Sequence, residues 1–567
     1  MKLNGLQGGV STGVVSGVVS LSMAAAMAQL ILGTGELQQY VPVYFVLLMV
    51  ATGLGCLVAL LGTRLPVVIS GLDEPASAII ASLGAQFVTA GAAAGLLPSQ
   101  LFTSLLALIS TLSLCTGLVF LLVGQQRLGR LARFIPYPVV AGFLAGTGFL
   151  LVLFGIEMAL GRPFSLHQPA TWILQGEEWF LLYGAVGFGV LLWFGVRVSD
   201  HAALIPSTIL LAVVIFYASM LLSGSSVADA MNARMLPTGN VKETGAWHAL
   251  LQLSLTDIHW DRVVTYLPAG MAATFVAMLS MLSNVTAIEY AAKCEVDHDR
   301  ELVVAGLGNV AGAVFCGVPM VYQMSDSTLA CRLQAGKLPL AGILLAITAS
   351  TFLLGDFLQS HFPIFVLAGL LVFFGLDLLV SWLVRASKEL VRREFAIVCL
   401  IALCILIFDF LTGILFGLLL AILLFVYQIS RLSPIQAMLV RKYGAEFEPV
   451  SMSGTPFNPT EQPMLLLVVL QGYLFFGSAH TLYSRLRQRM NGQLPAESLV
   501  CIDLSSISHL DSSAVQSLTR LQNWARDQDY RMRFICPHTH VHAQLQAASE
   551  GGDADIAFDV ESALRLA

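Results

Sequence analysis

The feature that most constrains this chain is a succession of apolar stretches long enough, or nearly long enough, to cross a bilayer. They fall at about residues 7–32, 41–61, 74–90, 100–123, 136–160, 178–196, 202–222, 263–292, 302–317, 325–333, 338–354, 363–383, 395–411 and 412–427, set against the roughly 20 residues a spanning helix needs. With 57% hydrophobic and 11% charged residues and a mean hydropathy of +0.80, the chain reads as a polytopic membrane protein embedded in a lipid bilayer. The first stretch is long enough to span and precedes no clear small-residue cleavage site, so it is expected to stay attached as the first helix. The nine cysteines are scattered with no CxxC or Cys/His cluster and read as small core residues, with no metal site or other cofactor implied. A net charge of −6 leaves no footprint for nucleic acid.

Two of these runs, the third and the tenth, are short, and both open on polar residues: SGLDEPASAII and YQMSDSTLA. They hold equivalent places in two sets of seven. Short, interrupted segments at matching positions are the sequence sign of an inverted-repeat transporter with its site near the bilayer midplane. The basic residues Arg64, Arg127, Arg130, Arg133, Arg197, Lys293, Arg300, Arg332, Lys337, Arg385, Lys388, Arg392 and Arg393 fall in loops on one side, while the other side holds few, such as Arg162. The positive-inside rule then puts both ends of the membrane region in the cytoplasm.

After about residue 430 the pattern changes. A polar, Pro- and Gly-containing connector gives way to PMLLLVVLQGYLFFG, SAHTLYSRLRQRM, SLVCIDLSSI, SSAVQSLTRLQNWARDQ and YRMRFICP, an alternation of strand and amphipathic helix expected of a small α/β domain. The expected division is a transmembrane domain at 1–430, a linker at 431–462 and a cytoplasmic domain at 463–567. No P-loop, HExxH or GxSxG motif points to an enzyme, so transport energy would come from an ion or substrate gradient.

FIPYPVVAGFLAGTGFLLV, RELVVAGLGNVAGAVFCGVPM with the short segment after it, and GYLFFGSAHTLYSRL with CIDLSSISHLDSSAVQSL occur in family order. On these the chain resembles the sulfate permease (SulP) transporters, which carry a C-terminal STAS domain. The resemblance covers nearly the whole chain. It implies a seven-plus-seven inverted repeat of the uracil permease-like kind, with helices 1–4 and 8–11 as a mobile core and helices 5–7 and 12–14 as a gate. It also implies a dimer, an elevator-like movement, an inorganic anion of the sulfate or bicarbonate class as substrate, and a bacterial inner membrane. The anion would lie between the facing N-termini of the third and tenth half-helices.

The residues depart from that pattern at the site itself. Where many relatives place an arginine, QMSDST puts Asp326; SGLDEPASA puts Asp73 and Glu74 at the other helix start; Ser22 and Met23 stand where a Pro-Gln pair is common; and the carboxylate that many relatives carry in the eighth helix is missing, its place falling near Leu279 or Ser280. Asp326 and Asp73 read either as helix caps or as ligands of a cationic solute such as a basic amino acid or polyamine. Two opposed acids in a partly dry site would repel, leaving one able to hold a proton; the coupling ion would be a proton or sodium. Ser325, Ser327 and Gln323 flank Asp326 as further candidate ligands, although serine near a helix start is commonly a cap and Gln323 equally suits the loop. Glu157 and Arg332 read as residues of helix ends, and Asp409 as a cap. In the tail, Asp511, Ser512 and Ser513 resemble the turn phosphorylated in soluble anti-sigma factor antagonists, or else form a plain cap. A channel, or a sensor signalling to a cytoplasmic partner through the STAS domain, is the rival function class.

Overall fold

The computed structural model describes residues 2–128, 136–162, 178–237, 255–442, 446–450, 464–490, 494–548 and 555–562, apart from single positions 34, 200, 202, 409, 432, 496 and 561. Arg130, Arg133 and Asp409 lie outside the described residues. The chain divides into two compact units, Met1–Leu418 and Leu419–Ala567.

Each apolar run of the sequence becomes a helix. The first set is α1 (Lys2–Leu32), α2 (Val41–Gly62), α3 (Glu74–Ala93), α4 (Pro98–Gln125), α5 (Tyr137–Leu160), α6 (Glu178–Val198) and α7 (Leu204–Ser223). The second is α8 (Trp260–Ala292), α9 (His298–Ala313), α10 (Met324–Arg332), α11 (Lys337–Ser360), α12 (Ile364–Leu378), α13 (Arg392–Ile407) and α14 (Phe410–Arg431), with α12 prolonged through a π-helical turn, Leu379–Val384. Among the described residues ten helices are long and apolar enough to cross a membrane.

Short strands precede both half-helices, β1 (Ser70–Leu72) before α3 and β2 (Met320–Tyr322) before α10, and they pair antiparallel with Gly71 opposite Val321. A non-helical backbone at membrane depth must satisfy its polar groups within the protein, and this ladder does so. It is extended by Asp73 N–H to Pro319 O at 3.0 Å and Gln323 N–H to Ile69 O at 2.8 Å. The pairing makes Asp73 the counterpart of Gln323, Glu74 of Met324 and Ala76 of Asp326. Asp73 and Asp326, which the sequence suggests as a matched pair, therefore occupy different stations.

Helices approach through glycines, as membrane helices do where packing replaces the hydrophobic drive. A Cβ on Gly117 of α4 would meet Gly306 O of α9 at 2.8 Å, and one on Gly306 would meet Gly117 O at 2.8 Å. Gly148 of α5 and Gly375 of α12 face each other in the same way, at 2.9 and 2.7 Å.

In the second unit, β3 (Ile435–Lys442), β4 (Glu448–Pro449), β5 (Met464–Leu474), β6 (Leu499–Leu510), β7 (Arg531–Ile535) and β8 (Ile556–Ala557) form one sheet in the order β4-β3-β5-β6-β7-β8. The strands β5 to β8 run parallel and β3 and β4 antiparallel. Helices α15 (Phe476–Met490), α16 (Ser512–Asp527) and α17 (Thr539–Ala548) alternate with them, and Leu482, Leu486, Leu518 and Leu521 from α15 and α16 pack on Leu466, Val468, Ile502 and Leu504 of the sheet. The expected linker at 431–462 is corrected by β3 and β4: alternate residues Met438 and Val440 are buried in the sheet's core, so this segment supplies an edge of the sheet despite its polar flanks.

Candidate substrate cavity

The two half-helix starts are built differently. At α3, Asp73 is the N-cap, its Oδ2 accepting from Ala76 N–H at 3.0 Å, with Pro75 in the first turn. At α10, Gln323 holds the equivalent place but gives its Nε2–H to Leu72 O at 2.8 Å and makes no cap bond. Asp326 stands in the first turn of α10 and is not its N-cap, which corrects the reading of Asp326 as an N-cap.

A cavity of about 300 Å³ opens beside these starts. Val19, Ser20 and Met23 of α1, Thr52 of α2, Gly71 and Leu72 of β1, Glu74 of α3, and Asn284 of α8 line one side. Gln323, Met324, Ser325 and Asp326 of the second half-helix close it, and Val196, Ile205, Phe373, Phe374, Asp377 and Leu378 from α6, α7 and α12 form the opposite wall. Its ionisable lining groups are all acids, Glu74, Asp326 and Asp377; no lysine, arginine or histidine is among the described lining residues. Arg197, beside Val196, reaches Asp377 Oδ1 at 3.6 Å and lies over the Trp193 ring at 4.6 Å.

Of the residues the sequence singles out, the cavity brings together Met23, Glu74, Gln323, Ser325 and Asp326. Asp73 is buried behind it as a cap, with Ser280 alongside. Ser22 turns its hydroxyl onto Val18 O of its own helix at 2.9 Å. Ser327 is buried against the strands, its Oγ accepting from Ile69 N–H at 3.0 Å. Glu157 lines a separate cavity of about 540 Å³ with Gln29 and Arg234, and Arg332 ends α10. Asp377 and Asn284 escaped the sequence reading; an acid alone in the run LAGLLVFFGLDLLVSW is the sign that points to the first. Asn284 donates to Tyr322 O at 2.8 Å, bracing the second strand.

In the second unit Asp511 is the N-cap of α16, accepting from Ala514 N–H at 2.6 Å, and Ser512 and Ser513 are exposed in the first turn.

Residues 6–402 match the model of the sulfate permease family, and residues 457–560 that of the STAS domain. The chain belongs to the sulfate permease family. It is 25% identical over 80% of its length to the vacuolar basic amino acid transporter VSB1 of Saccharomyces cerevisiae, of which it spans 45%. It is also 25% identical to the putative sulfate transporter YvdB of Bacillus subtilis, over 72% of this chain and 73% of that one. The solved structure of the murine Slc26a9 anion transporter superposes with a TM-score of 0.67 at 14% identity, covering 99% of this chain and 91% of that one. The fold is thus a membrane transporter fold of this family with a STAS domain, and the seven-plus-seven repeat fits it.

Proposed function

We propose that this sulfate permease family member is a secondary transporter whose central cavity takes a small cationic solute of the basic amino acid class, with Glu74 and Asp326 as its ligands and Asp377 as a third, partly neutralised acid. The observation that carries this is the lining: three carboxylates and, among the described residues, no base. Carboxylates gathered in a partly dry site repel one another, and a bound cation removes that repulsion while a bound anion adds to it. The similarity to a yeast protein named for basic amino acid transport agrees in sign. Transport proceeds by an elevator-like movement of α1–α4 and α8–α11 against the remaining helices, driven by a proton or sodium gradient. The protein works as a homodimer in a bacterial inner membrane with its termini in the cytoplasm, and the STAS domain meets a cytoplasmic partner there.

A second reading is favoured by the α10 start. Its first-turn N–H groups lack a side-chain cap, the arrangement that favours an anion, and YvdB is named a putative sulfate transporter. Thermal melting of the purified protein with L-arginine, L-lysine, spermidine, sulfate and bicarbonate separates the two. A ligand at about 100 times its Kd stabilises the folded state by about 2.7 kcal/mol. A shift with L-arginine or spermidine that Asp326→Asn abolishes supports the cation reading. A shift with sulfate or bicarbonate alone, kept in that variant, overturns it in favour of the anion.

A further inference from the structure

We propose that Asp326 exchanges a proton with the N-terminal end of α1 through a buried file of hydroxyls, Thr12 and Ser16, that is separate from the substrate cavity. The inference deepens the reading of that cavity as a transport site by giving one of its acids the coupling role.

Thr12 and Ser16 are fully buried, 0% exposed, and their hydroxyls meet no hydrogen-bond partner. Several buried helical hydroxyls elsewhere in the same unit bond back to the preceding turn: Ser22 to Val18 O at 2.9 Å, Thr52 to Leu48 O at 2.7 Å, Thr116 to Leu112 O at 2.9 Å, Thr147 to Phe143 O at 2.9 Å. Thr12 and Ser16 have turned away from that default. Leaving a buried hydroxyl unmet costs about 1–3 kcal/mol, so such groups need something to bond. Ser16 lies beside the Asp326 carboxylate, and Ser20, one turn on, lines the cavity.

The spacing suits a relay. Hydroxyls four residues apart on a helix are about 6 Å apart along its axis, and one water making two O–H···O bonds of about 2.8 Å spans that gap. Each hydroxyl both donates and accepts. A proton delivered by water at the N-terminal end passes from oxygen to oxygen, each giving up one proton as it takes the next, and ends on the carboxylate, which becomes a neutral acid; release reverses the path. The neighbouring face of α1 is closed by contact: a Cβ on Gly9 would meet Pro339 Cβ at 2.9 Å and one on Gly13 would meet Ile343 Cβ at 2.8 Å of α11. The charged and titratable groups facing Asp326 are Glu74 of α3, Cys56 of α2 and, across the cavity, Asp377 with Arg197; α1 and α8 present Ser16 and Asn284. Asp326 thus takes up and gives back a proton in alternation with the solute, which it and Glu74 bind in the cavity.

The test is infrared difference spectroscopy of the full chain in liposomes, following deuterium exchange of the carboxylic acid band that Asp326→Asn removes. Thr12→Val with Ser16→Ala is expected to slow that exchange by roughly tenfold or more, a barrier increase of about 1.4 kcal/mol, while the melting shift produced by L-arginine stays as in the parent. Thr12→Ser, which keeps the hydroxyl, and Ser22→Ala, whose hydroxyl bonds its own helix, are expected to leave the rate alone. An unchanged rate in the double variant, or no Asp326 acid band at any pH at which the protein is folded, overturns the proposal. Loss of the L-arginine shift in the parent protein would defeat the cavity reading alone, and the exchange rate would still decide the file.

Discussion

Asp73 and Gln323 occupy the same station at the starts of α3 and α10. Each donates its backbone N–H to the opposite repeat, Asp73 to Pro319 at 3.0 Å and Gln323 to Ile69 at 2.8 Å, yet only Asp73 turns its side chain back onto its own helix. The inverted repeat is thus symmetric in backbone and asymmetric in capping. Asp73→Ala is expected to lower stability by about 0.5–2 kcal/mol and Asp73→Asn by much less, because asparagine caps nearly as well. Thermal melting reads this directly. An equal loss in both variants would mean that the charge of Asp73, not its cap bond, is what the fold uses.

Arg197 tempers the acidity of the cavity. Its pair with Asp377 leaves the two side chains 43% and 52% exposed, so it contributes at most about 1 kcal/mol to stability. Arg197→Gln is therefore expected to change the melting temperature little and to tighten L-arginine binding several-fold, most clearly at low salt. Asp377→Asn is expected to weaken it. Calorimetric titration gives both. Weaker binding in Arg197→Gln would show that the arginine itself contacts the solute.

How far the sequence reveals this molecule depends on which force sets each feature. The helices were legible because bilayer crossing demands a countable length of apolar residues, and the half-helices because SGLDEP and YQMSDS interrupt that length. The relation between Asp73 and Asp326 was not legible. Only the strand register shows that Gln323, three residues earlier, is the true counterpart of Asp73. Strand β3 hid among polar neighbours because an antiparallel strand needs only one buried face, and only alternate residues such as Met438 and Val440 are buried. Asp377 hid inside an apolar run, and Thr12 and Ser16 resemble any other small residues of a glycine-rich helix until their missing partners are seen.

The contact of α4 with α9 sets a second expectation. A methyl at Gly117 would meet the backbone, Gly306 O at 2.8 Å and Val310 N at 2.9 Å, so the helices must separate. Gly117→Ala is expected to destabilise by about 1–3 kcal/mol, the range for overpacking. At Gly187 of α6 a Cβ meets nothing within 4 Å, and alanine there gains up to about 1 kcal/mol of helix propensity. Melting curves of the two variants should shift in opposite directions. A neutral Gly117→Ala would show that α4 and α9 slide freely against each other.

The last expectation concerns pH and the second unit. Cys501 of β6 is fully buried, and burial pushes its thiol up to about 11, against a smaller opposing pull from Arg533. Unfolded, the thiol titrates near its ordinary value of about 8.5. Between these values the unfolded chain has released a proton that the folded one retains, so stability is intact below about 8.5 and declines as pH rises through about 11. Denaturant midpoints of the STAS transition in the full chain should therefore fall more steeply with alkaline pH in the parent than in Cys501→Ala. The slope that remains belongs to other groups raised by burial, Cys536 and Tyr530. Identical slopes in parent and variant would mean that β6 opens to solvent before the thiol ionises, and maleimide labelling of Cys501 under native conditions would then be rapid.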